Sequence, residues 1–221
     1  MPDIPFEPRP GAPFAHIAGL ILAAGASRRM GQSKALLPWP EPGTVRNFLD
    51  CCVAALAPAC DPILAVLGSG ADAILATRSP ATPPALRWIL NPDWERGQFS
   101  SLQAGTRALL ALGSFDAVLV CPVDHPAVQP ATALALVAAY HPAAASPAII
   151  KPSYEQRHGH PVLYSSRVLP AICAASANAT ARQVQAEFAQ STLSLPISDP
   201  GILLDIDTPE DYQRLRERFS A

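Results

Sequence analysis

Seven short runs punctuate the 221-residue chain, and most are apolar through their length instead of alternating apolar with polar residues. They are IAGLILA (17–23), PILAVLG (62–68), LRWIL (86–90), DAVLVCPVD (116–124), PAIIK (147–151), PVLY (161–164) and ILLDID (202–207). A strand that is apolar on both faces must be covered on both faces, which is the signature of a mostly parallel sheet between helical layers. Helical patterns duly follow most of the runs, beginning at Val45, Gly70, Phe99, Ala131, Ala181 and Thr208. The alternation predicts an α/β fold with helices on each side of a central sheet. The stretch KPSYEQRHGHPVLY interrupts it with a polar loop and a short strand, as a hairpin-like insertion beside the sheet would.

The Pro-rich start, MPDIPFEPRPGAPF, predicts a flexible extension over residues 1–15, ahead of one domain spanning 16–221. It lacks the apolar core of a signal peptide. No apolar run approaches the roughly 20 residues of a membrane span. The chain carries 16 Lys and Arg against 18 Asp and Glu, a net charge of -2. Nucleic acid and anionic membranes call for a basic field, so neither is expected as a partner. Any anion bound here should be small and held by a local cluster. Cys51, Cys52, Cys60, Cys121 and Cys173 show no CxxC spacing, and most sit among alanines, where a thiol packs as a small hydrophobe. Reduced thiols predict a cytoplasmic protein.

Three places carry chemistry. In LILAAGASRRMGQSKALLP (20–38), Gly25 ends an apolar run and Arg28, Arg29 and Lys34 follow. Ligands of open parallel sheets bind beyond the carboxyl ends of the strands, so this loop should overlie the crevice. Gly25, Ala26 and Ser27 let backbone amides approach an anion closely, while the cations add charge. The loop is not a P-loop, since five residues separate Gly25 from Gly31 and Lys34 does not follow Gly31; nor does it contain GxGxxG. In CPVDHP (121–126), Asp124 stands just past an apolar strand. In DIDTPEDY (205–212), Thr208, Pro209 and Asp211 form a variant capping box, whereas Asp205 and Asp207 precede the cap and are expected to project from one face of a strand end. A phosphate loop plus two strand-end carboxylates suits a magnesium-nucleotide site. His158 and His160, without a third ligand, read as polar loop residues and not as a metal site.

LAAGASRRMGQSKALLP resembles the LAAGxSxRMGxxKxLLP signature of the MobA-like nucleotidyltransferases. NPDWERGQFSSLQAG (91–105), CPVDHP, RHGHPVLY (157–164) and DIDTPEDY extend the resemblance in family order, and the NPxWxxG and GHP segments bring it nearest to the MocA-like molybdenum cofactor cytidylyltransferases. The resemblance implies a Rossmann-like three-layer αβα sandwich of the nucleotide-diphospho-sugar transferase type. It implies transfer of a nucleoside monophosphate from an NTP, CTP by the LAAG form, onto a phosphate acceptor such as molybdopterin-bound molybdenum, with release of pyrophosphate. A molybdoenzyme or its chaperone would then be a partner. By matched position, Leu22, Ala23, Ala24, Gly25 and Ser27 would contact the nucleotide, Arg28 and Lys34 its phosphates, and Gln98 and Ser101 its base and ribose. Asp124 and Asp207 would hold magnesium or manganese, His160 would border the acceptor, and Lys34, Arg28 and Asp124 would be catalytic.

Two departures bear on the acceptor. His125 stands where related sequences usually show Gln, and PWPEPGTVRNFLD (38–50) is longer and more proline-rich than the usual link. Two alternatives keep their place beside the leading reading: a transferase for a sugar or polyol phosphate, and a nucleotide-binding accessory protein with little turnover.

Overall fold

The computed structural model describes residues 15–77, 86–141 and 146–220. The expected extension therefore lies, except for residue 15, outside the described residues. Strand β1 (Ile17–Ala23) is buried along its whole length. Its side chains divide by parity: Ile17, Ile21 and Ala23 enter one apolar layer, and Ala18, Leu20 and Leu22 the other. This is the period-2 geometry of a strand covered on both faces. Strands β2 (Ile63–Leu67) and β4 (Ala117–Pro122) pair parallel on its two sides, and β3 (Leu86–Leu90) extends the sheet beyond β2.

Helices fill the two layers. Against one face lie α1 (Phe48–Leu56), α2 (Ala71–Ala76), α4 (Pro130–Ala138) and α7 (Pro209–Ser220). Against the other lie α3 (Gln98–Leu112), α5 (Leu169–Ala174) and α6 (Ala181–Glu187). The remaining strands are β5 (Ile149–Tyr154), β6 (Arg157–His158), β7 (Val162–Ser165) and β8 (Thr192–Pro196). Among the described residues the sheet has eight strands in the order β3-β2-β1-β4-β7-β5-β6, with β8 paired parallel to β5. It is mostly parallel. Only β7 and the β5–β6 hairpin introduce antiparallel pairs. The hairpin expected within KPSYEQRHGHPVLY is present, its turn made by Glu155 and Gln156 with φ of 48° and 63°.

From β1 the chain first builds β2 and β3 on one side, then returns to place β4 on the other. The carboxyl ends of β1 and β4 therefore face a topological switch point, where open α/β sheets form their crevices. The loop after Ala23 and the turn containing Asp124 both issue into it.

One expected strand is not there. Residues 202–207 form no strand; Pro200–Leu203 is a tight 3-10 turn followed by an irregular segment. The cause is Asp199, 4% exposed, whose Oδ1 accepts from Gly201 N at 2.8 Å. Its Oδ2 accepts from Gln129 N and Thr132 Oγ1 at the start of α4. A buried carboxylate with three donors holds the turn closed and ties it to the start of α4. Elements β6, β8 and α5 had no clear sequence signal. The 38–50 segment folds back on itself through a Pro38–Asn47 bridge and is tied to α7 by Tyr212 Oη donating to Pro38 O at 2.7 Å.

Candidate active site

The loop following β1 is shaped by Ser27, a non-glycine residue with φ of 49°. Its carbonyl accepts from Met30 N and Gly31 N, and its Oγ accepts from Lys34 N at 3.1 Å. Backbone held in the left-handed region has to be over-determined by its surroundings, and those bonds do so here. They return the chain into the crevice, and Lys34 enters at 8% exposure.

There Lys34 meets both acids that were expected near it. Its Nζ donates to Asp124 Oδ2 at 3.2 Å and to Asp207 Oδ1. Burial alone would lower the Lys34 pKa, but the two carboxylates outweigh it and hold it above the ordinary value. For Asp124, burial pushes upward, yet His125 and Lys34 overcome it and bring the pKa down to about 2. His125 Nδ1 lies 3.0 Å from Asp124 Oδ1. Asp207 is likewise lowered against the effect of burial, by Lys34 and by Arg29, whose Nη2 donates to Asp207 Oδ2 at 2.6 Å. Asp205 goes the other way: burial raises it, and Asp124 and Asp207 nearby raise it further.

Asp207 is fixed by the helix that follows it. Asp211 Oδ2 accepts from Thr208 N at 2.8 Å and from Asp207 N at 3.1 Å, while Thr208 Oγ1 accepts from Asp211 N. The expected capping box exists, and it also holds the backbone of the site.

A cavity of about 390 Å3 lies over these groups. Leu22, Ala23, Ala24, Gly25, Ser27, Arg28, Lys34, Gln98, Ser101, Asp124 and Asp207 all line it. Every nucleotide, metal and catalytic residue singled out from the sequence is thus brought together. Trp94 forms part of the wall and packs on Gly68, where an added Cβ would sit 2.5 Å from the Trp94 Cβ. Asn91, 3% exposed, donates to Ser100 and Ser101 Oγ and so sets the turn that presents Gln98 and Ser101.

His160 is placed elsewhere. It lines a second cavity that shares Leu22, Gly97 and Gln98 with the first and also holds His125 and Asp205. The His125 and His160 rings meet edge to face with centroids 4.7 Å apart. The backbone at Gly159 touches the 3-10 turn so closely that a Cβ would lie 2.1 Å from Ile202 O. No residue of the 38–50 segment lines either cavity. That departure therefore does not reach the crevice, because its bridge turns it toward α7. The departure at His125 does.

Sequence reasoning missed two partnerships. Arg29 pairs with Asp207, a contact the cationic loop did not announce, while Arg28 lines the same cavity. His125 proved to be the neighbour of Asp124, although its place beside an acid in CPVDHP was a visible signal. Ligand atoms of Asp124, His125 and Asp205 lie within 4.8 Å of one another, so Asp205 competes with Asp207 for the place of second metal ligand. Oxygen donors of this kind suit magnesium or manganese.

Comparison with known proteins agrees with the geometry. The profile of the MobA-like NTP transferase domain matches residues 19–192, well over half of the chain. The chain belongs to the MobA-like NTP transferase family. Its fold is shared with solved structures. Rv0371c of Mycobacterium tuberculosis H37Rv superposes with a TM-score of 0.73 at 25% identity, covering 91% of this chain and 98% of that one. A manganese complex of the same protein has been solved (TM-score 0.64, 24% identity, 91% and 98% covered). Among relatives, the molybdenum cofactor cytidylyltransferase of Escherichia coli K12 is 29% identical over 91% of this chain and 96% of its own length. The nicotine blue oxidoreductase of Paenarthrobacter nicotinovorans is 31% identical over 90% and 96%, and the purine catabolism protein PucB of Bacillus subtilis is 30% identical over 93% and 98%. This MobA-like transferase thus resembles relatives that carry quite different names. No helix among its described residues is long and apolar enough to cross a membrane.

Proposed function

We propose that this protein transfers CMP from CTP to a phosphate on a small acceptor, molybdopterin-bound molybdenum in the leading case, and releases pyrophosphate. The observation that carries the reading is the convergence of Lys34, Asp124 and Asp207, from three remote stretches, on one cavity beneath the loop after β1. The similarity to the cytidylyltransferase of Escherichia coli supports the acceptor and the base.

The acceptor phosphate attacks the α-phosphorus and pyrophosphate leaves in line, so the protein supplies position and charge more than covalent chemistry. Backbone amides of Ala24, Gly25 and Ser27 approach the phosphates, Gln98 and Ser101 take the base and ribose, and Arg28 meets the departing pyrophosphate. Lys34 places its ammonium against the charge that develops on the α-phosphate. Asp124 and Asp207 are the residues that would hold magnesium or manganese, which when bound neutralises phosphate charge. An ionised acceptor phosphate needs no general base. His160 borders the acceptor from the second cavity.

A second reading keeps the chemistry and changes the acceptor to a sugar or polyol phosphate. The Paenarthrobacter and Bacillus relatives are as similar to this chain as the cytidylyltransferase is and carry names without molybdopterin, so similarity alone does not fix the acceptor. One experiment addresses both: thermal shift with CTP, GTP, ATP and UTP plus magnesium, followed by pyrophosphate release with molybdopterin-bound molybdenum and with sugar phosphates. A ligand of the folded state raises the melting temperature by mass action. CTP is expected to stabilise most, and to release pyrophosphate with the molybdopterin acceptor. Stabilisation by GTP alone overturns the cytidine assignment. Release only with a sugar phosphate transfers the case to the second reading, and nucleotide binding without release from any acceptor leaves an accessory protein.

A further inference from the structure

The second cavity measures about 1300 Å3, above the roughly 300–1,000 Å3 of most small-molecule sites. Its wall is strongly cationic. Arg96 from the turn before α3, Lys151 from β5, Arg157 from β6 and Arg182 from α6 all line it, and Asp205 is the one carboxylate among the described lining residues. The whole chain has fewer Lys and Arg than Asp and Glu, so the cavity reverses the charge balance of the molecule. Arg96 keeps only a 3.7 Å contact with Asp93 in its own turn. Among the described residues, Lys151, Arg157 and Arg182 make no ion pair within 4.0 Å. Lys151 is half-buried, and its ammonium is disfavoured by burial and then by the neighbouring Arg182. These cations give the wall a local positive potential that a bound anion would offset, and Lys151 is the one among them that is partly desolvated. None of β5, β6 and α6 contributes a residue to the first cavity, so these cations stand apart from the residues expected to hold the triphosphate.

We propose that Lys151, Arg157 and Arg182 bind a second anionic group of the acceptor, which makes the acceptor an extended molecule with at least two negative groups. One is the phosphate that attacks; the other docks on this cationic wall and fixes the orientation of the attack. The word acceptor rests on the transferase reading, whereas the anion site does not. Charged groups on a substrate's remote end position its reacting end without entering the chemistry.

Fructose 1,6-bisphosphate and fructose 6-phosphate serve as probes, because they share a skeleton and differ by one phosphate. Each is titrated calorimetrically into the full chain, once alone and once with magnesium and a non-hydrolysable CTP analogue occupying the first cavity. The bisphosphate is expected to bind about tenfold more tightly, the equivalent of one charge-assisted contact. The Arg157→Gln/Arg182→Gln variant, both positions exposed, should abolish that preference while the melting temperature and the affinity for the analogue stay unchanged; Lys151→Met should reduce it. Equal affinities, absence of binding by both probes, or a preference that survives in the double variant overturns the proposal. If the analogue itself fails to bind, the transferase reading falls, and the titrations without it still decide the anion site.

Discussion

Lys34 does two jobs in the free protein: it is the counter-charge for Asp124 and Asp207, and it waits under the loop where phosphates are expected. Replacing it by Ala removes a donor aimed at charge that develops during transfer, so kcat should fall about 10²–10³-fold, the loss seen when a preorganised donor is deleted. Binding of CTP should weaken less than turnover, because other loop groups remain. Separate determination of Kd by calorimetry and kcat by pyrophosphate release reads the difference; a Lys34→Ala enzyme with near-normal kcat removes Lys34 from the mechanism. His160 offers a second prediction at this scale. Burial, and then the His125 ring beside it, lower its pKa to about 3, and its enclosed Nδ1 has no hydrogen-bond partner among the described residues. In the unfolded chain a histidine titrates near 6.5, so between the two values only the unfolded state takes up the proton. This group's contribution to stability is therefore complete above pH 6.5 and is lost on acidification. Going from pH 7 to pH 5 should cost about 2 kcal/mol through this residue. Denaturant titrations of the wild type and His160→Gln at both pH values should show the variant losing that much less.

Among the elements, the turn at Pro200–Leu203 and the β6–β7 connection depend on one another. Gly159 fits there because it has no side chain, and His160 N donates to Ile202 O at 3.0 Å across the same contact. Gly159→Ala should force the two apart, costing about 1–3 kcal/mol as other overpacked sites do. Since this joint carries His160 and the approach to Asp205, the KM for the acceptor should rise while the Kd for CTP is kept. Urea unfolding and initial-rate kinetics report the two effects. Element type was legible where burial enforces a period: β1, β2 and β4 divide their side chains between two layers, and only a doubly covered strand writes that pattern. It misled at ILLDID, where an apolar run is held in a turn by Asp199, a residue whose partners on α4 are remote in sequence. Short elements such as β6 and α5 are created by pairing and packing from outside, so their own residues announce little.

For the molecule as a whole, the residues of the nucleotide cavity were legible because the family motif and the strand–loop pattern both point to the carboxyl edge of the sheet. Their mutual geometry was not. That Lys34 bridges two acids, that Arg29 pairs with Asp207, and that His160 belongs to a neighbouring chamber all follow from the strand order, which a linear reading does not contain. The crossing of the chain at β1 puts Asp124 in the partition between the two chambers, with Lys34 and Asp207 on one side and His125 and Asp205 on the other. Helix α7 adds its own condition: Asp211 grips the backbone of Asp207, so one wall acid is seated by the first turn of a helix. Were that clasp undone, as in Asp211→Ala, the sheet would still assemble but the jaw would hang loose, and such chains would be poor at the work while outwardly well built.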